Sequence, residues 1–357
     1  CIRDSAITVL AMVWALHPIL GPRTARIAAI IFGASAYHLL FSRFIYESSI
    51  SSLPLLIAVG AAVRVTRDTR RRWWIVLGLA TGVGLWTYAA FRLVPLGIFA
   101  ALAGWAVTRR SEWRRIGVGI TAAAAIALVI TSPLIQAALD DPEDFLQRAR
   151  ETSIVQDSAE SGVLQPFLHN LAAYGQMFFA NQGSSNQIFH FPALGTPAAV
   201  LLWVGLGLAV GAAIRRRSAV AGLIIFWWFA GLVPGIITRS IEAPHWSRTL
   251  YALPAVAVIV ALGLEGVVRL AAKRWRTVAT AGVLAIVVAG EMWAFHTRVE
   301  RDPRVYDFFS PMPSRAAEIA RQRVAEGRRV LASDAMVTEP YVNHVFGTIA
   351  GDAALEI

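Results

Sequence analysis

The sequence predicts an all-α polytopic membrane protein. Of its 357 residues 56% are hydrophobic, and the mean hydropathy is +0.56. The apolar runs approach or reach the roughly 20 residues that a helix needs to cross a bilayer. Most of the basic residues between these runs fall in every second gap, which is typical of a chain that crosses a membrane repeatedly.

Ten apolar segments are predicted to cross the membrane, and several are rich in Gly and Ala, as closely packed helices in lipid often are. Leu93–Val107 is short for a full crossing, so we expect a tilted or incomplete span there. In chain order the predicted spans are Ser5–Leu20, Thr24–Phe41, Phe44–Val63, Trp73–Phe91, Leu93–Val107, Ile116–Leu139, Leu194–Ile214, Ala219–Ile237, Leu250–Val268 and Thr277–His296.

The net charge of +10 is explained by membrane topology, so nucleic acid is not a predicted partner. The odd-numbered gaps hold 18 of the 33 basic residues, and short Arg-rich loops stay in the cytoplasm. The even-numbered gaps and the C-terminal tail are therefore predicted to face outward. Arginine outnumbers lysine 32 to 1, which favours a GC-rich bacterium and its plasma (inner) membrane. The basic residues in these gaps are Arg23, Arg26, Arg64, Arg67, Arg70, Arg71, Arg72, Arg109, Arg110, Arg114, Arg115, Arg215, Arg216, Arg217, Arg269, Lys273, Arg274 and Arg276.

Four arginines lie near the spans on the predicted outer side, against the usual topological preference. They are Arg43, Arg92, Arg239 and Arg248. Such charges usually pair with a partner or mark a substrate path, and a guanidinium presents a planar fork of donors that suits phosphate. Together they could form a phosphate cradle. The alternative is that each extends to the interface or pairs with a nearby acid.

The stretch Thr238–Pro254, TRSIEAPHWSRTLYALP, links two predicted spans on this outer side. It contains Arg239, Arg248 and His245 beside a glutamate, a tryptophan and a tyrosine. An ordinary interhelical turn needs no such collection. A polar loop with an interfacial aromatic anchor is the alternative, since aromatic residues and arginines are common at helix ends.

The longest outward loop, Asp140–Ala193, begins with an acidic segment and continues into an apolar-aromatic stretch, Val163–Ala180. Its apolar residues fall near a helical repeat, as in a helix lying along the membrane surface. Long loops in compact proteins are usually functional. We therefore weigh a lid over a lipid-facing site against a helix that only caps the bundle.

Residues 1–296 are predicted to form the membrane core, and residues 297–357 the start of a small outward α/β domain. Pro311–Arg329 reads as an amphipathic helix and Arg329–Ala332 as a short strand. The single cysteine, Cys1, excludes a disulfide framework within the chain. Because the chain lacks an initiating Met, we expect a further span and outer loop before Cys1, and we expect truncation after Ile357 as well.

Three outward motifs carry a family resemblance. The order His38–Arg43 with Glu47, then Leu85–Pro95, then Pro244–Arg248 with Leu253-Pro254 resembles the polyprenyl-phosphate-sugar-dependent GT-C glycosyltransferases. These include the protein mannosyltransferase and aminoarabinose-transferase-like groups. The resemblance extends from about Ala11 to Val268, and it implies a GT-C-type bundle.

The resemblance implies that a sugar moves from a polyprenyl-phosphate donor to a lipid, protein or polysaccharide acceptor, by an inverting displacement on the outer face. In such enzymes an acid on the first outer loop activates the acceptor. This chain has no such motif, which leaves the activity of the fragment itself open, and Glu47 corresponds to a second acidic position. A salt bridge between Glu47 and Arg43 is the alternative role.

The remaining candidates are assigned by their chemistry. Arg248, Arg92, Arg43 and His245 would bind the donor phosphate, and Arg239, Tyr88 and Tyr251 are further candidates. A divalent metal is left open because the sequence shows no close cluster of ligands. A transporter and a non-catalytic protein that binds lipid-linked sugar are the rival classes.

Overall fold

The apolar runs fold into long helices in the computed structural model, which describes residues 2–43, 47–68, 70–157, 162–180, 191–303, 305, 311–328 and 330. Within these residues the extended pairing is a single isolated bridge between Ser153 and Thr238. The predicted all-α polytopic membrane fold is confirmed.

The helices follow one another with short connections. In chain order they are α1 Ile2–Ala34, α2 Ala36–Arg43, α3 Glu47–Ile50, α4 Ser52–Arg67, α5 Arg72–Leu85, α6 Leu93–Thr108, α7 Trp113–Asp140, α8 Pro142–Glu151, α9 Leu164–Gln176, α10 Thr196–Arg215, α11 Ala219–Ile236, α12 Leu253–Val268, α13 Arg276–Ala294 and α14 Pro311–Ala325. Short 3-10 helices include Ala89–Arg92 and Trp246–Ala252, and a π-helix covers Phe295–Glu300.

Eight helical segments in the described part of the chain are long and apolar enough to cross a membrane, and α5 is a shorter apolar helix. The first of the eight, α1, is a hairpin of two helices. Gly21 breaks it with a φ of 78°, and the side chain of Val9 packs against Gly33. In a straight helix these two residues would be about 36 Å apart. The hairpin and α5 account for the ten predicted spans.

Three predicted spans are interrupted, among them Phe44–Val63, in which Ser51 separates α3 from α4. The span Thr24–Phe41 is broken at Ser35, between α1 and α2. The span Trp73–Phe91 ends as an α-helix at Leu85, where Trp86 turns to donate its indole N–H to the carbonyl of Ile130 at 3.0 Å. The chain then continues in the 3-10 helix Ala89–Arg92.

The core of the bundle is α12, which packs against α1, α10, α11 and α13. The span that contains it, Trp246–Val268, has 78% of its apolar window buried, the highest share among the candidate spans. Its seam with α10 is closed by Gly205 and Gly263, where an added Cβ would meet backbone carbonyl oxygens. The segment before α12 is therefore held at the centre of the fold.

Two hydrogen bonds join segments that the charge pattern assigns to the same end of the bundle. At the Arg-rich end, Arg23 donates to Thr280 at 2.5 Å, which joins the first gap to the start of α13. At the other end, the hydroxyl of Ser51 donates to Thr87 at 2.9 Å. Both contacts agree with the alternating charge pattern, and the side of the membrane on which each loop lies stays a prediction.

Residues 297–357 form a second compact unit, separate from 1–296. Its described part contains α14, which ends at Ala325, four residues before the predicted end of that helix. Ala320 is buried in it and Ile319 is half exposed. The predicted strand Arg329–Ala332 lies outside the described residues, except for Val330.

Candidate functional site

Seven residues of the stretch Thr238–Pro254 form a buried 3-10 helix, Trp246–Ala252, in which every residue is at most 6% exposed. His245 precedes it in an extended conformation, and Pro254 occupies the first turn of α12. Proline suits that position because its missing N–H has no intrahelical acceptor there. The chain thus enters α12 through a tight, fully packed segment.

A 3-10 helix has three residues per turn, so side chains three apart share an edge. Trp246 and Thr249 occupy one edge and meet Tyr37, whose hydroxyl donates to the carbonyl of Trp246 and lies 2.9 Å from the hydroxyl of Thr249. The geometry places Arg248 and Tyr251 on another edge. The two side chains therefore follow each other along the helix axis.

Arg248 is the most deeply buried of the candidate arginines, at 6% exposure. Its Nη2 forms an ion pair with Glu242, whose side chain is 19% exposed. Its Nη1 has no hydrogen-bond partner among the described residues. A buried donor without an acceptor is costly, so an anion with a spare oxygen would stabilise this group.

His245 is fixed by the long loop. Its backbone N–H donates to the hydroxyl of Tyr174 at 2.8 Å, and its Nδ1 lies 2.8 Å from the hydroxyl of Ser247. Burial raises the pKa of Tyr174 to about 12, so the phenol stays neutral. The ring of His245 is thereby held beside the start of the 3-10 helix.

The predicted loop helix Val163–Ala180 is α9, and it packs on the bundle. Asn170 is fully buried and donates to the carbonyls of Ile236 and Thr238 at 2.8 and 2.6 Å. The opposite face exposes Leu164 and Leu168, at 69% and 52%. In this structure α9 caps the stretch that carries Arg248 and presents apolar side chains away from it, as a surface-lying helix would.

Arg239 is engaged with the acidic part of the same loop. Its Nε lies 3.2 Å from a carboxylate oxygen of Asp157, which also accepts from the hydroxyl of Ser240 at 2.7 Å. Burial acts to raise the pKa of Asp157, but these hydrogen bonds and the guanidinium outweigh it and hold the pKa below the ordinary value. The pair joins the loop to the end of α11.

Arg92 and Arg43 stack on aromatic rings. The guanidinium of Arg92 lies 4.3 Å from the ring centroid of Phe145, and that of Arg43 lies 4.5 Å from the centroid of Phe295. Each of the four candidate arginines thus contacts a different residue. The structure brings Arg248 together with His245 and Tyr251, and a shared cradle of four arginines stays a prediction.

Glu47 and Tyr88 approach the 3-10 helix from two other gaps. Glu47 is the first residue of α3, which contacts the 3-10 helix, although its side chain lies outside the described residues. Tyr88 packs against a buried cluster that contains Tyr251 and Phe91, with 6.1 Å between the two ring centroids of that pair. Three of the predicted outward gaps therefore meet around Trp246–Ala252.

An apolar groove of about 590 Å³ begins at this meeting point. Tyr251 and Ala90 line one end of it, and Thr66 and Trp105 line the other. Its walls come from α1, α4, α6 and α11. The groove thus follows the membrane-spanning helices from the site towards the Arg-rich end, and its lining suits an extended hydrocarbon.

A metal centre has no support among the described residues, which contain no group of three or more His, Cys, Asp or Glu side chains placed to hold an ion.

The sequence analysis missed three polar residues. Two of them give no sequence signal. Glu242 meets Arg248 only through the way the turn between them folds, and Tyr174 meets His245, which is 71 residues away in the chain. Glu291 does give a signal, as a lone carboxylate in an apolar span.

The comparisons with known proteins agree with this architecture. No protein-family model matches the chain, and no curated protein matches it. The crystal structure of ArnT from Cupriavidus metallidurans bound to undecaprenyl phosphate is similar over 98% of this chain and 69% of ArnT, with 16% identity and a TM-score of 0.57. The apo structure of the same protein gives 13% identity and a TM-score of 0.55 over the same shares. The chain therefore has the fold of ArnT, a GT-C glycosyltransferase.

Proposed function

We propose that this protein is a membrane glycosyltransferase that takes a sugar from a polyprenyl-phosphate donor and transfers it to an acceptor hydroxyl at the outer face. The observation that carries the proposal is the position of Arg248. It is a buried guanidinium with one nitrogen unpartnered among the described residues, on the same edge of a 3-10 helix as Tyr251, which lines the end of the apolar groove.

The groove and the guanidinium suit the two parts of one ligand. A polyprenyl chain would lie along the apolar walls of α1, α4, α6 and α11, where burial of hydrocarbon stabilises it. Its phosphate would then reach the end lined by Tyr251. An arginine fork binds a phosphate through charge-assisted hydrogen bonds. The undecaprenyl phosphate in the similar ArnT structure is a ligand of this kind.

The proposed reaction is a single displacement. The bond between the anomeric carbon and the phosphate oxygen breaks, and the acceptor oxygen forms a new bond from the opposite side with inversion. The acceptor proton passes to a carboxylate base, and the charge that develops on the leaving phosphate is stabilised by Arg248. His245, Arg92 and Arg43 are proposed as further phosphate contacts, and Glu47 as an acid near the sugar.

The test is the affinity for undecaprenyl phosphate, measured with the protein in lipid nanodiscs. An arginine–phosphate hydrogen bond contributes about 1.5–3 kcal/mol, so Arg248→Ala should weaken binding by roughly 10- to 150-fold. Arg248→Lys keeps the charge beside Glu242 and should lose less. An exposed arginine at the opposite end of the bundle, Arg215, provides the matched control: Arg215→Ala should bind as the unaltered protein does.

Transfer is tested separately, by release of labelled sugar from a polyprenyl-phosphate donor in the same nanodiscs. The alternative of a transporter predicts movement of the intact lipid-linked sugar without release. Equal binding by the unaltered protein and by both Arg248 variants would contradict the phosphate site. Sealed vesicles with the donor in one leaflet distinguish the outer from the cytoplasmic face.

A further inference from the structure

Glu291 is a fully buried carboxylate inside an apolar span, near the end of α13. One oxygen accepts the backbone N–H of Ala36 at 2.8 Å, and the other accepts that of Gly195 at 2.7 Å. A charged side chain in a span is costly and usually has a function. It is not the partner of Arg248, which is Glu242.

Both of its donors stand at the beginning of a helix. Ala36 is the first residue of α2, and Gly195 is the residue before α10. The first N–H groups of a helix lack intrahelical acceptors, and the helix dipole favours a negative charge there. The carboxylate of Glu291 thus caps two helices at once and joins them to α13.

The first of these helices leads directly to the phosphate site. Tyr37 follows Ala36, and its hydroxyl contacts the carbonyl of Trp246 and the hydroxyl of Thr249. Its ring centroid lies 4.9 Å from that of Trp246. These two contacts flank Arg248 in the 3-10 helix, so the start of α2 fixes the backbone that carries the guanidinium.

The second helix leads to the same place. The residues just before Gly195 include Phe191, whose ring centroid lies 5.5 Å from that of Trp246. The N–H of Ala193 donates to the carbonyl of Met177 at 2.8 Å, and the sulfur of Met177 lies 3.9 Å from the hydroxyl of Thr249. Each of the two hydrogen bonds of Glu291 is therefore connected to Trp246 and Thr249, the residues that flank Arg248.

We propose that Glu291 is a positioning residue that holds the 3-10 helix in the register in which Arg248 meets the donor phosphate. The proposal rests on the phosphate-binding function proposed above. Glu291 acts through α2 and through the segment before α10, and it contacts no substrate itself. Removing one of its two acceptor oxygens should release one of these connections.

Glu291→Gln makes that change with little change in volume, because the amide keeps one acceptor oxygen and replaces the other by a donor. We expect its affinity for undecaprenyl phosphate in nanodiscs to fall about tenfold. In an Arg248→Ala background the same substitution should have less than about a twofold effect, because the two residues act on one contact. An equal loss in both backgrounds would mean a general structural role and would overturn the proposal.

The matched control is Glu265→Gln. Glu265 is a carboxylate on α12 at the opposite end of the bundle, where it accepts from the hydroxyl of Thr24 at 2.6 Å. We expect its affinity for undecaprenyl phosphate to match that of the unaltered protein. A tenfold loss in this variant too would show that loss of a carboxylate anywhere in the bundle weakens binding, which would overturn the specific role of Glu291.

A second readout does not depend on the ligand. Backbone amide exchange of residues 246–252, followed by mass spectrometry, should be faster in Glu291→Gln and unchanged in Glu265→Gln. Tyr37→Phe leaves both helix caps intact and should produce the same increase. Unchanged exchange in Glu291→Gln would overturn the positioning role, whatever the result for Tyr37→Phe. If the unaltered protein binds no undecaprenyl phosphate, the proposed function fails while the exchange measurement still decides the role of Glu291.

Discussion

A methyl group at Gly205 should loosen the seam between α10 and α12. An added Cβ would lie 1.8 Å from the carbonyl oxygen of Ile259 and 2.8 Å from its carbonyl carbon. Non-bonded heavy atoms prefer about 3.5 Å or more, so the shorter contact is about 1.7 Å too close. Both atoms belong to the backbone and cannot rotate aside. The Gly205→Ala substitution must therefore move the two helices apart.

The expected cost follows from two opposing terms. Overpacking a well-filled interior costs about 1–3 kcal/mol, and a clash with backbone places the cost at the upper end. Alanine regains about 1 kcal/mol over glycine in a helix. We expect a net loss of about 2 kcal/mol in the free energy of unfolding, together with weaker binding of lipid phosphate because α12 carries the 3-10 helix.

The measurement is denaturant unfolding in detergent, compared with Gly207→Ala on the same helix. An added Cβ at Gly207 meets no atom within 4 Å, so that variant should be as stable as the unaltered protein or up to about 1 kcal/mol more stable. If Gly205→Ala proved as stable as Gly207→Ala, the close approach of α10 and α12 would be refuted.

Two further predictions concern the long loop. The pKa of Asp157 is lowered in the folded protein. Its contribution to stability is therefore complete above the ordinary pKa of about 3.9 and is lost as the pH falls through the lower folded value. Amide exchange of residues 151–157 should become faster below that pH, and this change with pH should be absent in Asp157→Asn. Asn170→Ala leaves two backbone carbonyls without their amide donor and should lower the free energy of unfolding by about 1–3 kcal/mol. His169→Ala, at an exposed neighbouring position, should cost little. Equal losses in the two variants would refute the role of Asn170 in joining α9 to the end of α11.

The sequence predicted the spans well because lipid imposes a strict requirement on them. Backbone polar groups in a bilayer must be satisfied internally, which forces long apolar helices. The predicted span Ala219–Ile237 differs from helix α11 by one residue. The interruption after Leu85 was missed because it depends on the tertiary contact of Trp86 with the carbonyl of Ile130, which has no local signal.

The site could be predicted only as a segment. Arg248 and His245 drew attention by their position in the topology, but the ion pair with Glu242 and the contact with Tyr174 depend on how the turn and α9 fold. Glu291 caps two helix beginnings that are far apart in sequence. Hydropathy marks such a residue as unusual without indicating its partners.

The tight winding of Trp246–Ala252 has a consequence for reach and direction. A 3-10 helix rises about 2.0 Å per residue against about 1.5 Å in an α-helix, so its seven residues extend about 3.5 Å further. Rewinding the segment into an α-helix would also turn Tyr251 about 60° away from Arg248. One inserted or deleted residue here would aim a different side chain at the mouth of the groove, so this short piece of backbone should tolerate changes of side chain better than changes of length.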